Sequence, residues 1–277
     1  MAKFTKSLFL TASALGLASL FAGSAQAGSI TGATLSGGTS LVYCSNSTNT
    51  FANGTLGSCS IDEALAGSAT SPGGNIELNA TSETGGGIGT ATTLAGNLNG
   101  KAITLSSLTT ADWSVFGKQW MAGLLKEAIG LDAAPTVVNM AYAQFSTMGG
   151  FNRFSDPNIS YVNQDDVSGL VRIGLAGHLN ATDIIKAALP AAMKSLIPDN
   201  FQVSEIVKYT YDGVTNYLWS FDATASGLVE IGDGKSHSGN YEVAFQGKLP
   251  PTESVPEPAS VLGLMAIGSL IASRKRR

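Results

Sequence analysis

The sequence predicts an α+β protein: an antiparallel sheet with about three helices, preceded by an N-terminal signal helix and followed by a C-terminal membrane helix. Three observations carry that expectation. Short apolar clusters bounded by Gly or Asn recur through residues 28–107, and longer alternating stretches recur through 201–248, both as strands require. Between them, apolar residues recur at helical spacing. At the two ends, uncharged apolar runs are flanked by cations, so those ends serve targeting and stand outside the fold.

At the first end, Lys3 and Lys6 precede an apolar stretch from Leu8 to Phe21, and Ala25-Gln26-Ala27 supplies small residues where signal peptidase reads them. Residues 1–27 read as a secretory signal peptide, with Ala25 and Ala27 at the cleavage site. A second membrane anchor is the alternative, and the small-residue site argues against it.

The stretch from Gly28 to about Ser107 is rich in Gly, Ser, Thr and Asn. Leu41-Val42-Tyr43, Ile76-Glu77-Leu78 and Ile103-Thr104-Leu105 read as short strands. Gly85-Gly86-Gly87 lacks the helix and the Lys-Ser/Thr pair of a phosphate loop. Cys44 and Cys59 are the only cysteines, and export makes a disulfide their default reading. A metal site would need further ligands and no His is near; a reactive thiol would need a neighbouring cation. Residues 28–110 are thus expected to form a loosely patterned β part pinned by one disulfide.

From Thr110 the composition changes. Thr109 or Thr110 caps a helix running through Trp113, Phe116, Trp120, Leu124 and Leu125 to Ile129, with Gly130 as its stop. Trp113 and Trp120 read as core at this spacing, in preference to a sugar-stacking platform. Pro135 opens a second helix carrying Val138, Tyr142 and Phe145, ended by Gly149-Gly150. Residues 151–162 lead through a turn at Asp156-Pro157 into a strand; Arg153 and Asp156 either pair locally or contribute to a site. A strand at 170–178 precedes a third helix, capped by Asn180 or Thr182 and running to Leu196, which Pro190 kinks or divides. Residues 203–211 and 217–221 read as a hairpin whose loop extends from Asp212-Gly213 through Asn216. Residues 228–231 and 241–245 read as a second pair. Residues 28–248 are expected to form a single exported domain, and 249–258 a Pro-rich linker.

In the tail, Val255-Pro256-Glu257-Pro258 precedes an uncharged apolar run from Ala259 to Ser273 and a basic stop, Arg274-Lys275-Arg276-Arg277. As a helix the run spans roughly 22 Å, short of the ~30 Å hydrocarbon core, and the cations compensate by snorkelling to the interface. Pro256 and Pro258 keep a helix from extending backwards. This tripartite order resembles the PEP-CTERM sorting signal of Gram-negative bacteria, in a form similar to cyanobacterial examples. The resemblance implies that an exosortase recognises Pro256, Glu257 and Pro258 and removes the tail 259–277. An ordinary C-terminal anchor is the alternative. The implied partners are signal peptidase, exosortase and, transiently, the inner membrane, with the cell surface or medium as the destination.

The whole chain carries 16 basic and 20 acidic residues, a net charge of −4. The two ends hold six of the cations and no acid, so a body stripped of both carries 10 basic and 20 acidic residues, or −10. Such a body argues against nucleic-acid binding, which needs a basic surface. No nucleophile elbow, His-Glu-x-x-His, Walker or EF-hand pattern occurs, and no cofactor is implied. His178 and His237 are the only histidines; a Ser-His-acid triad around His237 has no support from spacing. Asp165, Asp166, Asp212, Asp222 and Asp233 are candidate calcium oxygens, or solvated turn residues, and no metal site is expected.

Two functions fit. One is a non-catalytic component of the cell surface or extracellular matrix, with exopolysaccharide as a candidate partner. The other is a secreted polysaccharide-acting hydrolase with a carboxylate acid/base pair. The first is the expectation, with no catalytic residues. A surface-adsorbing variant of it would want regular Thr-rich repeats, and 28–110 lacks a period.

Overall fold

The computed structural model describes residues 27–81 and 87–249; the expected signal helix, Gly85-Gly86, the Pro-rich linker beyond Leu249 and the membrane helix lie outside those residues. The chain opens with β1 (Ala27–Ser29), β2 (Thr31–Gly37), β3 (Ser40–Ser45) and β4 (Asn49–Ala52). A one-turn helix, α1 (Ile61–Ala64), leads to β5 (Gly67–Ser68), β6 (Ser71–Pro72), β7 (Gly74–Leu78), β8 (Thr92–Leu98) and β9 (Lys101–Ser106). Then come α2 (Thr110–Ile129), α3 (Pro135–Thr147) and α4 (Gly150–Arg153), followed by β10 (Asn158–Asp165) and β11 (Leu170–Gly177). After α5 (Thr182–Ala187) and α6 (Ala191–Lys194) the chain ends in β12 (Val207–Tyr211), β13 (Val214–Leu218), β14 (Thr224–Ala225), β15 (Val229–Glu230) and β16 (Gly239–Gln246).

These elements make an α+β fold, with two principal sheets where one was expected. A five-stranded antiparallel sheet runs β13-β12-β9-β8-β2. A nine-stranded sheet runs β14-β16-β11-β10-β7-β3-β4-β15, with β1 added to β10. The first and last strands of that path, β14 and β15, are separated only by residues 226–228. The sheet therefore curls until one short segment bridges its two edges.

Alternation along the strands sorts the two faces. Ile76, Leu78, Val171, Ile173, Leu175, Tyr241 and Val243 point toward the five-stranded sheet and pack with its Leu94, Leu98, Ile103, Leu105, Val207 and Tyr209. The Ser/Thr-rich stretch is β, as expected, and its strands divide between the sheets: β3, β4 and β7 enter one and β2, β8 and β9 the other. The expected clusters at 41–43, 76–78 and 103–105 lie in β3, β7 and β9.

The helices form a second core at one end of the sandwich. Thr109 caps α2 through a capping box with Asp112, and Gly130 ends it at φ 72°, in the left-handed region glycine tolerates. Trp113 and Trp120 are fully buried and meet edge to face at 5.5 Å, while Trp113 stacks on Phe151 at 4.5 Å. They are core, and no open aromatic platform exists at these positions. The third expected helix is divided into α5 and α6, with Pro190 at the N-cap of α6.

Two pairings differ from expectation. β12 and β13 are joined by the two-residue turn Asp212-Gly213, with φ of 50° and 77°, and pairing begins at Val214 directly opposite Tyr211. Two left-handed residues suit a tight hairpin turn, so no longer loop is needed. Val229–Glu230 does not pair with β16; it lies parallel to β4, and β16 takes β14 instead.

Cys44 and Cys59 form a disulfide across 15 residues. Closing a loop of that length stabilises by about 3 kcal/mol in the chain-entropy account. The double substitution Cys44→Ala/Cys59→Ala is expected to lower unfolding stability by about 2–4 kcal/mol in a urea titration.

Asp112 ties α2 to the five-stranded sheet, accepting from Lys208 Nζ at 2.8 Å and from the Tyr217 hydroxyl at 2.8 Å. Burial raises its carboxyl, but hydrogen bonds from Lys208, Thr109 and Tyr217 outweigh that and leave it below the usual range. A depressed carboxyl stabilises above its unfolded value, near pH 4, and the contribution fades as pH falls through the folded value. Asp112→Ala should therefore cost about 2–4 kcal/mol at pH 7 and progressively less below pH ~4, read by urea titration at each pH.

Candidate functional site

Of the polar residues singled out in the sequence, Asp233, His178 and His237 meet at the loop that closes the curled sheet. Asp233 Oδ1 accepts from the Lys235 and Ser236 amides at 2.8 and 2.9 Å, and its Oδ2 accepts the Ser236 hydroxyl at 2.5 Å. Ser236 Oγ lies 3.0 Å from His178 Nε2. Serine, histidine and aspartate thus do meet, but around Ser236 and His178 and in the wrong order for hydrolysis. In a nucleophilic triad the histidine stands between serine and acid and takes the serine proton. Here the carboxylate, which only accepts, holds the single hydroxyl proton, so His178 Nε2 must donate to Ser236.

The charges agree with that assignment. Burial raises the Asp233 carboxyl, yet hydrogen bonds from Ser236 and the two amides win and leave it low. His178 is pushed below its ordinary value by burial, against the pull of Asp233. The arrangement braces a turn, with the Ser236 hydroxyl proton held by Asp233.

His237 lies apart, 5 % exposed, with Nδ1 2.7 Å from the Thr50 hydroxyl and its ring edge-on to Tyr43 at 4.7 Å. It holds a left-handed φ of 63°, which carries the chain from the Asp233 turn into β16. Burial pushes its imidazole down to about 4. The Tyr43 phenol is pushed up, first by burial and then by the nearby Glu77 and Glu230 carboxylates.

Next to this loop, the face of the curled sheet turned away from the apolar core carries buried amides and hydroxyls. Asn240 Nδ2 donates to Ser160 Oγ at 2.8 Å, and both residues are fully buried. Both amide atoms of Asn75, and the Oδ1 atoms of Asn158 and Asn240, are buried without a hydrogen-bond partner in the protein. An unmet buried polar atom costs about 1–3 kcal/mol, so this face suits ordered water or a small polar guest. Sequence alone gave no sign of it, because the residues come from β7, β10 and β16.

The other carboxylates serve turns and pairs. Asp165 Oδ1 accepts from the Val167 and Ser168 amides, Asp166 from Asn99 Nδ2, and Asp212 pairs with Lys248. Asp222 lies in a turn where its amide donates to Ser220 Oγ. Among the described residues, no group of three or more His, Cys, Asp or Glu is placed to hold a metal ion. Residues 151–156 form a structured connection: Ser155 Oγ accepts from Trp113 Nε1 at 2.8 Å, and Ser155 O accepts from the Leu108 amide.

The last described residues are clasped by both sheets. The Gly247 amide donates to Gly169 O, the Gln164 amide group to Lys248 O, and the Lys248 amide to the Tyr211 hydroxyl at 3.3 Å. Beyond them lie Val255–Pro258 and Arg274–Arg277, outside the described residues. The family model of the PEP-CTERM protein-sorting motif matches residues 254–277. The tail is a PEP-CTERM sorting motif. It implies export, with processing by an exosortase at the membrane, and it leaves the body unassigned. No match to the chain was found among curated proteins or among solved structures. Among the described residues no helix is long and apolar enough to cross a membrane. Of the residues expected at a signal-cleavage site, Ala25 lies outside the described residues and Ala27 is the first residue of β1.

A histidine buried in neutral form destabilises the fold when the unfolded chain can take up a proton that the folded chain refuses. The contribution of His237 is therefore complete above pH ~6.5 and lost as pH falls toward about 4. Unfolding stability should drop by as much as ~3 kcal/mol across that window. His237→Gln should flatten the decline in a pH series of urea titrations.

Proposed function

We propose that the chain is an exported, non-catalytic component of the cell surface or extracellular matrix. In this reading residues 1–27 are removed by signal peptidase, 28–248 fold as one domain, and exosortase acts at Pro256-Glu257-Pro258. The observation that carries it is the sorting motif at 254–277, set behind a body whose Ser, His and Asp side chains are engaged in bracing turns.

Exopolysaccharide is the partner this reading favours, and the solvent face of the five-stranded sheet supports it. The register aligns Thr34, Ala95, Thr104, Thr210 and Thr215 in one row across all five strands. Neighbouring strands lie about 4.8 Å apart, so the row sets four hydroxyls, interrupted at Ala95, at regular spacing suited to weak contacts with a glycan chain. A groove of about 320 Å³, lined by Lys101, Thr104, Thr210 and Asp212 among others, opens on the same face.

Intact mass of the protein from surface and medium fractions tests the reading, beside a Pro256→Ala/Pro258→Ala variant. The expected mature mass lacks Met1–Ala27 and the residues after the motif, while the variant stays in the membrane at full tail length. Retention of the Arg-rich tail in both forms would contradict sorting.

A further inference from the structure

The two ends of the described chain leave the body at one pole. β1 pairs with the end of β10, Ala27 opposite Asp165, so the chain enters beside the β10–β11 turn. β16 ends opposite the start of β11, Gln246 against Leu170, and Gly247 and Lys248 are bonded to Gly169 and Gln164. The turns of the other sheet close the same pole: Asn99 reaches Asp166, and Asp212 pairs with Lys248. Helices α2–α6 lie at the opposite end, since β9 runs from this pole into α2 and β11 runs from it into α5. Eight-residue strands such as β10 and β11 put about 26 Å between the two ends.

The same pole exposes aliphatic side chains. Val167 is 81 % exposed, Val214 58 % and Leu249 58 %, and they sit on the β10–β11 turn, the β12–β13 turn and the departing chain. Lys101 is exposed beside them at the start of β9. Nine residues lie between Leu249 and Ala259, where the apolar run of the tail begins. Whatever conformation they take, that stretch reaches at most about 35 Å. A tether of that length keeps the body close to the bilayer, and this is the pole from which the tether leaves.

We propose that this pole, built from residues 99–101, 165–169, 212–214 and 247–249, is a membrane-docking surface. It rests on the inner-membrane surface through Val167, Val214 and Leu249 while the tail is attached, and it holds the helical end away from lipid. The inference depends on the sorting reading and adds an orientation to it. Docking on this pole also keeps the Pro256-Glu257-Pro258 motif beside the bilayer, within reach of an intramembrane enzyme.

The test uses the full chain with its tail, bound to phosphatidylethanolamine–phosphatidylglycerol vesicles containing headgroup-labelled quencher lipid. Both native cysteines are in the disulfide, so one introduced thiol carries the fluorophore: Val167→Cys at the pole, or Lys118→Cys on α2. The expected result is strong quenching at position 167 and little at 118. Equal quenching, or more at 118, overturns the docking surface. Adding Val214→Asp and Leu249→Asp should cut the quenching at 167 while the chain still floats with the vesicles; unchanged quenching overturns the aliphatic contact. Loss of flotation for both labelled chains would instead sink the membrane-tail reading itself, so the two failures are told apart.

Discussion

Everything in the body depends on strands from distant parts of the chain pairing in the middle of both sheets. β7 meets β10 over two residue pairs, Glu77 with Asn158 and Ile76 with Ile159. β9 meets β12 over four, from Ile103 to Ser106. Without those seams each sheet falls into two pieces, the larger sheet leaving β15 with β7, β3 and β4 and β1 with β10, and the apolar layer between the sheets has no closed boundary. Such non-local pairing is slow to form, because loop closure precedes any reward from contacts. The disulfide at Cys44–Cys59 and the caps of α2 are local devices that limit the chain's freedom before those seams close.

The same topology decides where the ends go. Helices α2–α6 occur in the sequence between β9 and β10 and between β11 and β12, and both insertions leave and return at one end of the sandwich. The other end is left to hairpin turns and to the two departures of the chain. A sorted protein is handled by its ends, so an arrangement that gathers both on one pole separates processing from the rest of the surface. The buried aromatic helices then lie at the end away from the machinery that acts on the tail.

Legibility from sequence followed the range of the interactions. α2 was readable to within one residue because its start and stop are local: Thr109 and Asp112 cap one another and Gly130 supplies the left-handed stop. The sorting tail was readable because its three parts are contiguous. The Asp212-Gly213 turn was underused; its two left-handed residues already specify a two-residue hairpin. The pairing of Val229 with Asn49, 180 positions apart, had no local signal, nor did the meeting of Ser236 with His178. The threonine row is invisible for a further reason: its regularity runs across strands, set by register, so no period along the sequence records it.

The central claim is that entry and exit of the chain share a pole opposite the helices. Distances between paired spin labels test it most directly, with one label at Ser29→Cys and the other at either Leu249→Cys or Lys118→Cys. The account predicts that the 29–249 distance is the shorter of the two by roughly the length of an eight-residue strand, ~26 Å. A 29–249 distance equal to or longer than the 29–118 distance would contradict it.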